Sequence, residues 1–509
     1  ARARARGQGE RLAPRARPPR PLSPPPAAME RFYVALFVGL AGLGGGLPAV
    51  LARALPPHGG AAGRREGGSG GGGASPPGGP AAASPRATAA FRAFRISYVA
   101  LYSLMMAGDW LQGPYIYRLY SSYGYEKGSV ARLFIAGFCS SMVFGTAVGA
   151  LGDRYGRKRM CLAYAAVYSL ACLTKHSSRF GVLLVGRMLA GVATSLLFSA
   201  FEAWLVAAHA AKGFDAALLG SVFSAATLYG NGLAAIVAGV VASFLVDGLG
   251  FGLTAPFDLA ILCFAVGGAF VASGWDENFG AARHAEGVSL AAQLGGALGV
   301  VRRDRRVLLL GGCQALFEAT MYIFVFLWTP ALSPRGERVP HGFVFATFML
   351  CCMIGSSCVG ALQGRRSTGP LGYMGPVFLV AAAALATPAA LHVVGAGGAE
   401  EGAPPPGGGG IGAAGRVQVV AFCVFEACVG AFWPSLMQLR SVFVPEDVRA
   451  TVINLFRVPL NLFVCVVLFN VELLPLPAFF GLASLLALGA HFCLAGLRRE
   501  ADKESGARL

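Results

Sequence analysis

The chain has 509 residues, of which 55% are hydrophobic and 13% are charged, and its formal net charge at pH 7 is +17. Because soluble domains carry about a quarter of charged residues, this composition excludes a set of soluble domains and predicts a polytopic membrane protein. The charge does not indicate nucleic-acid binding, since residues 1–28 hold seven arginines and one glutamate and so contribute +6 of it.

The N-terminal segment consists of a tail, a hydrophobic run and a linker. Residues 1–28 are rich in Pro, Arg and Ala and cannot bury a core, so we expect a disordered tail. We expect translation to start at Met29, the first methionine, which would make the tail non-native; the alternative is a basic arm for anionic lipid. Residues 29–55 are predicted to form an extra transmembrane helix, and 56–94 a Gly/Pro-rich linker.

Long apolar runs follow one another through the rest of the chain. They fall into two sets of six, at 95–275 and 307–498, with a charged central loop at 276–306 and a tail at 499–509. The expected fold class is an all-α integral membrane protein with two six-helix bundles and one extra N-terminal helix. The predicted spans are 96–116, 130–151, 159–175, 182–206, 218–245, 256–274, 307–331, 342–363, 371–394, 416–438, 449–471 and 476–497.

A charged turn at 152–159, Gly-Asp-Arg-Tyr-Gly-Arg-Lys-Arg, joins the second and third of the twelve runs. Its four cations must lie in water or at lipid headgroups, and the positive-inside rule places such a turn in the cytoplasm. Alternate loops show the same excess of Lys and Arg, so the central loop and the C-terminal tail are expected on the cytoplasmic side as well.

The cysteines and histidines show no spacing that is typical of metal ligands. The twelve cysteines lie almost entirely inside apolar runs, where they are expected to be small core residues and not disulfides. The glycine run at 70–73 is followed by no Gly-Lys-Ser/Thr motif, so it does not indicate a phosphate-binding loop. We therefore expect no metal, no cofactor and no nucleotide hydrolysis.

Several motifs carry a family resemblance. The pattern Gly-Asp-Arg-x-Gly-Arg-Lys from Gly152 resembles the signature between the second and third helices of the major facilitator superfamily, and Arg187-Met-Leu-Ala-Gly191 resembles its Arg-x-x-x-Gly element. A narrower set resembles the molybdate-anion transporter family. Its members are Ala107-Gly-Asp-Trp-Leu-Gln-Gly-Pro-Tyr115, Leu197-Phe-Ser-Ala-Phe-Glu-Ala-Trp204, Arg305-Arg-Val-Leu-Leu-Leu-Gly311, Gln314-Ala-Leu-Phe-Glu318, Phe324-Val-Phe-Leu-Trp-Thr-Pro330 and Asn454-Leu-Phe-Arg-Val-Pro-Leu460.

This resemblance implies a transporter, not an enzyme, that takes up the molybdate dianion across the lipid bilayer of the plasma membrane. The sequence does not determine the oligomeric state, and we expect a monomer. It also implies that the charged turn works a gate, in which Asp153 latches the outward-open state; the alternative is a carboxylate that is merely solvated among arginines. The gating residues implied by the motif are Gly152, Asp153, Arg154, Gly156, Arg157 and Lys158.

Ionisable residues in the middle of spans are costly and usually face a cavity or a partner. Four acids, Asp109, Glu202, Glu318 and Glu426, fall one each in core helices one, four, seven and ten, which line the central cavity in the resembled superfamily. We expect them to pair with arginines when the site is empty or to carry protons. The alternative is that they form purely structural pairs.

The anion itself is expected to meet arginine. Arg187 and Arg457 are the only arginines deep in predicted spans, one in each half, and the guanidinium fork suits an oxyanion. Neutral hydrogen-bond donors are expected to complete the site, and the candidates are Asn454, Asn461, Gln112, Gln314 and Tyr115.

Two alternatives to molybdate uptake remain open from the sequence. One is a transporter of the same fold for another anion or small solute. The other is a non-transporting sensor built on a transporter scaffold, although a sensor could lose the gating aspartate that this chain retains.

Overall fold

The computed structural model describes residues 31–43, 85–279, 290–333, 339–363, 369–396, 413–445 and 449–507. Every regular element in these ranges is a helix, which agrees with the expected all-α class. The predicted tail at 1–28, residues 29–30 and 44–55 of the predicted N-terminal span, and most of the predicted linker lie outside the described residues.

The first half of the molecule is built from long helices joined by short turns. They are α1 Arg31–Leu43, α2 Pro85–Trp110, α3 Ile116–Ser122, α4 Lys127–Tyr155, α5 Arg157–Leu173, a 3-10 turn Thr174–His176, α6 Phe180–Ala211, α7 Ala216–Ala226, α8 Ala234–Ser243 and α9 Ala255–Gly274. The π-helical turns Thr227–Leu233 and Phe244–Gly248 follow α7 and α8.

The second half follows after an amphipathic helix. Its helices are α10 Leu290–Arg303, α11 Arg305–Leu332, α12 His341–Gln363, α13 Pro370–Ala396, α14 Ala413–Phe443, α15 Arg449–Phe469 and α16 Leu476–Ala507. The Asp304 side chain accepts a hydrogen bond from the backbone N–H of Arg306 at 2.8 Å, which caps α11. Hydrogen bonds from the Arg306 guanidinium lower the pKa of Asp304, and this backbone bond lowers it further.

Two predicted spans differ from the helices of the structure for local chemical reasons. The span predicted at 96–116 begins at Pro85, because the Ala/Arg-rich segment before it favours helix. It ends at Trp110, because proline at 114 disfavours helix at the residue before it. The span predicted at 218–245 is interrupted by π-helical turns, where the backbone hydrogen bonding shifts by one residue.

Among the described residues, nine helical segments are long and apolar enough to cross a membrane. The other predicted spans are helical at the expected places but shorter or less apolar. The described helix α1 has an apolar length below that of a span, α5 has 17 residues, and the apolar part of α15 is Leu455–Phe469. The protein is thus a multi-pass helical membrane protein, and the division into twelve core helices plus one stays a prediction.

Small residues allow close helix packing within the second half. A Cβ added at Gly355 would lie 1.9 Å from the carbonyl oxygen of Ala427, and one added at Gly430 would lie 1.8 Å from that of Cys352. Helices α12 and α14 therefore touch backbone to backbone, as membrane helices do where glycine faces glycine or alanine.

The two halves meet around α4, α8, α12 and α15. We call the part of the molecule around Tyr115 the outer end and the part around Gly152 the inner end. The outer end is closed, because Gly239 on α8 and Gly342 on α12 pack so tightly that a Cβ on either would lie within 2.7 Å of the opposite carbonyl oxygen. At the inner end, Phe198 and Glu202 are exposed along a cavity of about 330 Å³.

Candidate functional site

The first cluster of charge lies in the N-terminal half and consists of Asp109, Tyr168 and Arg187. Asp109 is the penultimate residue of α2, and its carboxylate accepts a hydrogen bond from the Tyr168 hydroxyl on α5. Arg187 on α6 is an electrostatic partner of Asp109, and its guanidinium carbon lies 4.5 Å from the centre of the Phe134 ring. The Arg187 Nε is buried and has no hydrogen-bond partner among the described residues.

The second cluster lies in the C-terminal half and consists of Gln314, Glu318, Tyr322, Arg440 and Arg457. The Gln314 amide donates to Glu318 at 2.8 Å, and Arg440 Nε donates to the Gln314 oxygen at 3.2 Å. An Arg440 guanidinium nitrogen also lies 3.8 Å from Glu318 Oε1. Arg457 interacts electrostatically with Glu318 and Tyr322. One acid in this cluster therefore faces two arginines.

Arg440 is a site residue that the sequence reasoning missed. The predicted span 416–438 stops short of Arg440, but α14 continues to Phe443. The Arg440 side chain is only 11% exposed. The expectation that Arg187 and Arg457 are the only deep arginines is therefore wrong for the second half. Lys175, the last residue of the predicted span 159–175, is also buried.

An aromatic bridge connects the two clusters across the interface between the halves. The rings of Phe134 on α4 and Phe326 on α11 are 5.2 Å apart, and those of Phe138 and Tyr322 are 5.1 Å apart. Phe134 also contacts Arg187, and Tyr322 contacts Arg457. The predicted cationic pair Arg187 and Arg457 therefore faces one shared interface, from opposite halves.

Three other residues were predicted as neutral hydrogen-bond donors, and the structure places the side chains of two of them. Gln112 is buried in the turn after α2, and its amide donates to the carbonyl oxygen of Gly108 at 3.2 Å. Asn461 is half-buried on α15, four residues beyond Arg457. The Asn454 side chain lies outside the described residues.

Tyr115 belongs to the closed outer end and not to either cluster. Its hydroxyl donates to Asp247, and the backbone N–H of Gly342 in the other half donates to that hydroxyl at 3.4 Å. Arg118 donates to the second oxygen of Asp247 at 3.2 Å. These residues link α8, α12 and the segment around α3, and we call them the outer latch.

The remaining two acids are separated from both clusters. Glu426 on α14 is buried, and its electrostatic neighbours include Cys352 and Cys428. No salt bridge to Glu426 is found among the described residues. Glu202 lines the inner cavity together with Arg157. The expected pairing with a deep arginine therefore fits Asp109 and Glu318, while Glu202 and Glu426 sit in different surroundings.

The charged turn between α4 and α5 is held by Glu277, which the sequence reasoning did not single out. Its carboxylate accepts from the backbone N–H groups of Lys158 at 2.8 Å and Arg159 at 3.3 Å, at the N-terminus of α5. Gly156 has φ of 105°, and a Cβ there would lie 2.5 Å from the Glu277 carboxyl carbon. Arg157 donates to the carbonyl oxygen of Ala203 at 3.2 Å. The side chains of residues 152–154, including predicted Asp153 and Arg154, lie outside the described residues.

The described residues contain no group of three or more His, Cys, Asp or Glu side chains arranged to hold a metal ion. The two clusters place arginines, paired with Glu318 and Asp109, at an interface between two helical halves. Helical halves that meet at a polar interface inside a membrane are the architecture of a transporter.

Comparison with known proteins identifies the family. The major facilitator family described as sugar transporters with 12 TM matches residues 79–422. The chain is 35% identical to the molybdate-anion transporter of Xenopus tropicalis over 378 residues, which are 73% of this chain and 78% of that protein. It is 35% identical to that of Takifugu rubripes over 404 residues, or 75% and 80% of the two chains. The chain belongs to the molybdate-anion transporter family of the major facilitator superfamily.

Solved structures agree on the fold. The nucleoside transporter NupG superposes with a TM-score of 0.58 at 12% identity, covering 79% of this chain and 98% of that one. The peptide transporter POT in complex with sulfate gives a TM-score of 0.58 at 14% identity, covering 80% and 94%. At these identities the likeness concerns the fold alone.

Proposed function

We propose that this protein is a secondary active transporter that takes up molybdate through a membrane. The observation that carries the proposal is the pair of arginines, Arg187 and Arg457, that face one interface from opposite halves of a chain whose relatives are molybdate-anion transporters. A tetrahedral dianion needs fixed positive charge and several donors, and arginine supplies both without losing its proton.

In the proposed architecture, two six-helix bundles rock about the interface while an extra N-terminal helix lies outside them. The closed outer end represents one of the two end states, with access from the inner end. Opening the outer end requires separating Gly239 from Gly342 and breaking the outer latch of Tyr115, Arg118 and Asp247. The polar latch is suited to this because its groups can exchange their partners for water.

The anion is proposed to bind between Arg187 and Arg457, with Gln314 and Asn461 as neutral donors near the second arginine. Asn454 belongs to the same proposed site. Asp109 and Glu318 are proposed to balance the arginines while the site is empty, because each already faces one or two of them. Binding of the dianion would then replace carboxylate–arginine contacts by anion–arginine contacts.

The charged turn is proposed to work the inner gate and not to touch substrate. Lys158 donates to the carbonyl oxygen of Ala272 on α9 at 2.8 Å, and Glu277 holds the start of α5. These bonds fasten the α4–α5 turn to the end of α9, so the turn can move with it as a unit. We place this end in the cytoplasm, on the cation excess of its loops, and the transporter in the plasma membrane as a monomer.

Uptake in starved cells tests this function. The protein is expressed in cells that lack their own molybdate uptake, and cell molybdenum is measured by mass spectrometry after exposure to low molybdate. We expect accumulation above vector controls, and saturation with concentration. Normal surface expression without molybdenum gain would contradict the proposal; accumulation of another anion instead would identify a different substrate, and no transport of any anion would favour a sensor.

A further inference from the structure

Lys175 is a buried cation that the proposed site does not use. It lies in the 3-10 turn Thr174–His176, beyond the end of α5, and its side chain is 1% exposed. Among the described residues its ammonium has one side-chain acceptor, Thr174 Oγ1 at 3.4 Å, and it lies 5.7 Å from the centre of the Tyr120 ring. An ammonium group carries three donors, so Lys175 is far from saturated in this state.

The surroundings of Lys175 provide positive charge and no carboxylate partner among the described residues. Arg187, the anion-binding candidate of the first cluster, is its charged neighbour from α6. The other titratable groups around the turn are Cys172 on α5, Tyr120 on α3, Tyr123 at its end, and His176, which pairs with Asp258 on α9 at 2.7 Å. Asp109 on α2 acts electrostatically on Cys172. Two neighbouring cations thus share one acid, because Asp109 is the electrostatic partner of Arg187, and Lys175 has no carboxylate partner of its own among the described residues.

Both cations also lie against glycine. A Cβ added at Gly186 would be 3.1 Å from Lys175 Nζ, and one added at Gly137 would be 3.1 Å from an Arg187 guanidinium nitrogen. Each cation therefore packs directly against helix backbone at a glycine, where no side chain separates the two. Burial and the Arg187 charge lower the pKa of Lys175 to about 7.

We infer that Lys175 is the second cation of the first cluster and that it takes up a proton when an oxyanion binds beside Arg187. This inference rests on the proposed function, because it assigns the substrate dianion as the missing counter-charge. With the site empty, the amine releases its proton to water to reduce repulsion from Arg187. With the anion bound, the amine takes one proton from water and becomes the ammonium that pairs with it.

The inference fixes the direction of the pH dependence. Below pH 7 Lys175 is already charged, so anion binding needs no proton and affinity is at its full value. Above pH 7 each binding event must first protonate the amine, so apparent affinity falls by about tenfold per pH unit. Proton transfer by the carboxylates Asp109 and Glu318 is not needed for this dependence.

Calorimetry on the purified full-length protein tests the inference. Molybdate is titrated at pH 7 in two buffers of different ionisation enthalpy, which gives the protons taken up per anion bound. We expect about half a proton, because a group with a pKa of about 7 is half charged at that pH. We also expect radioactive molybdate uptake in proteoliposomes to show about tenfold weaker affinity at pH 8 than at pH 6.

Variants separate Lys175 from other titrating groups. Lys175→Arg keeps a permanent charge, so it should bind without proton uptake and with no pH dependence; Lys175→Met should bind weakly at every pH. His176→Gln and Lys212→Met, an exposed lysine near the other end of α6, should behave as the wild type. If Lys175→Met does not fold, the difference in proton uptake between the wild type and Lys175→Arg still tests the inference.

The outcomes distinguish the two proposals. Molybdate binding with equal proton uptake in wild type and Lys175→Arg overturns the role of Lys175 alone. If the wild type binds sulfate with proton uptake but not molybdate, the molybdate assignment fails and the role of Lys175 stands. If neither anion binds, both are wrong.

Discussion

The two charge clusters are built from the same residue types but leave opposite groups unsatisfied. In the first cluster Asp109 receives a hydrogen bond from Tyr168, and the Arg187 Nε has no acceptor among the described residues. In the second cluster Arg440 is hydrogen-bonded to Gln314 and ion-paired with Glu318, and the Glu318 Oε2 has no donor among the described residues. One half therefore has a spare donor, and the other a spare acceptor.

This difference indicates how an anion would load the site. A spare buried donor is costly, because it gives up water without replacement, and an oxyanion removes that cost directly. A spare acceptor on a carboxylate repels an anion and must first be turned away or protonated. We therefore expect the anion to depend most on Arg187 and to recruit Arg457 by displacing it from Glu318.

The largest expected effect follows from Arg187→Gln. Hydrogen bonds to charged groups contribute about 1.5–3 kcal/mol each, so losing a two-bond contact should weaken molybdate uptake by about 100-fold or more. The measurement is the concentration dependence of uptake at equal surface expression. Arg132→Gln, at an exposed arginine on α4, is the matched control and should keep wild-type uptake. An affinity within threefold of the wild type would remove Arg187 from the site.

Arg457→Lys should have the next largest effect. Lysine keeps the charge but loses the planar fork, so one charged hydrogen bond is lost, which corresponds to about 30-fold weaker affinity. The test measures the affinity for molybdate and the maximal uptake rate, because a residue that contacts the anion changes the affinity more than the maximal rate. If Arg457→Lys lowers affinity more than Arg187→Gln does, the order of the two clusters proposed above is reversed.

Four residues of the two clusters could be recognised from the sequence, because placing a charge inside an apolar helix is costly in any membrane protein fold. Asp109, Arg187, Glu318 and Arg457 could be selected simply as ionisable residues inside apolar runs. The same rule missed Arg440 and Lys175, because it depends on where a span ends. Helix ends are poorly determined by hydropathy when long cationic side chains extend along the helix and hide their charged groups.

The other differences between the predictions and the structure lie at turns between helices. Tyr115 was placed at the end of a span, but the helix stops five residues earlier and the residue joins the outer latch instead. Glu277 could not be recognised as the partner of the charged turn, because it is 119 residues away from Lys158 in the chain. Contacts between distant segments depend on packing, which local patterns do not encode.

Glu318→Gln tests whether the ion pairing of Glu318 with Arg440 and Arg457 contributes to stability and competes with the anion. The change leaves the Arg440 and Arg457 charges uncompensated, and because Arg440 keeps Gln314 and some solvent, we expect a cost of about 1–2 kcal/mol. This should appear as a lower thermal unfolding temperature in detergent, whereas the apparent affinity for molybdate should rise, because Glu318 no longer competes with the anion for Arg440 and Arg457. Glu426→Gln is the matched substitution, since Glu426 is equally buried without an arginine partner, and it should change both quantities less.

Tyr322→Phe should have the smallest effect and tests the aromatic bridge. It removes the hydroxyl that interacts with Arg457 but keeps the ring that packs 5.1 Å from Phe138 across the interface. Losing one hydrogen bond costs about 1 kcal/mol, so affinity should fall by about fivefold while folding is retained. Tyr322→Ala should also lose the ring contact and thereby slow transport itself. Equal behaviour of the two variants would show that the ring does not couple the halves, and that only the hydroxyl serves the second cluster.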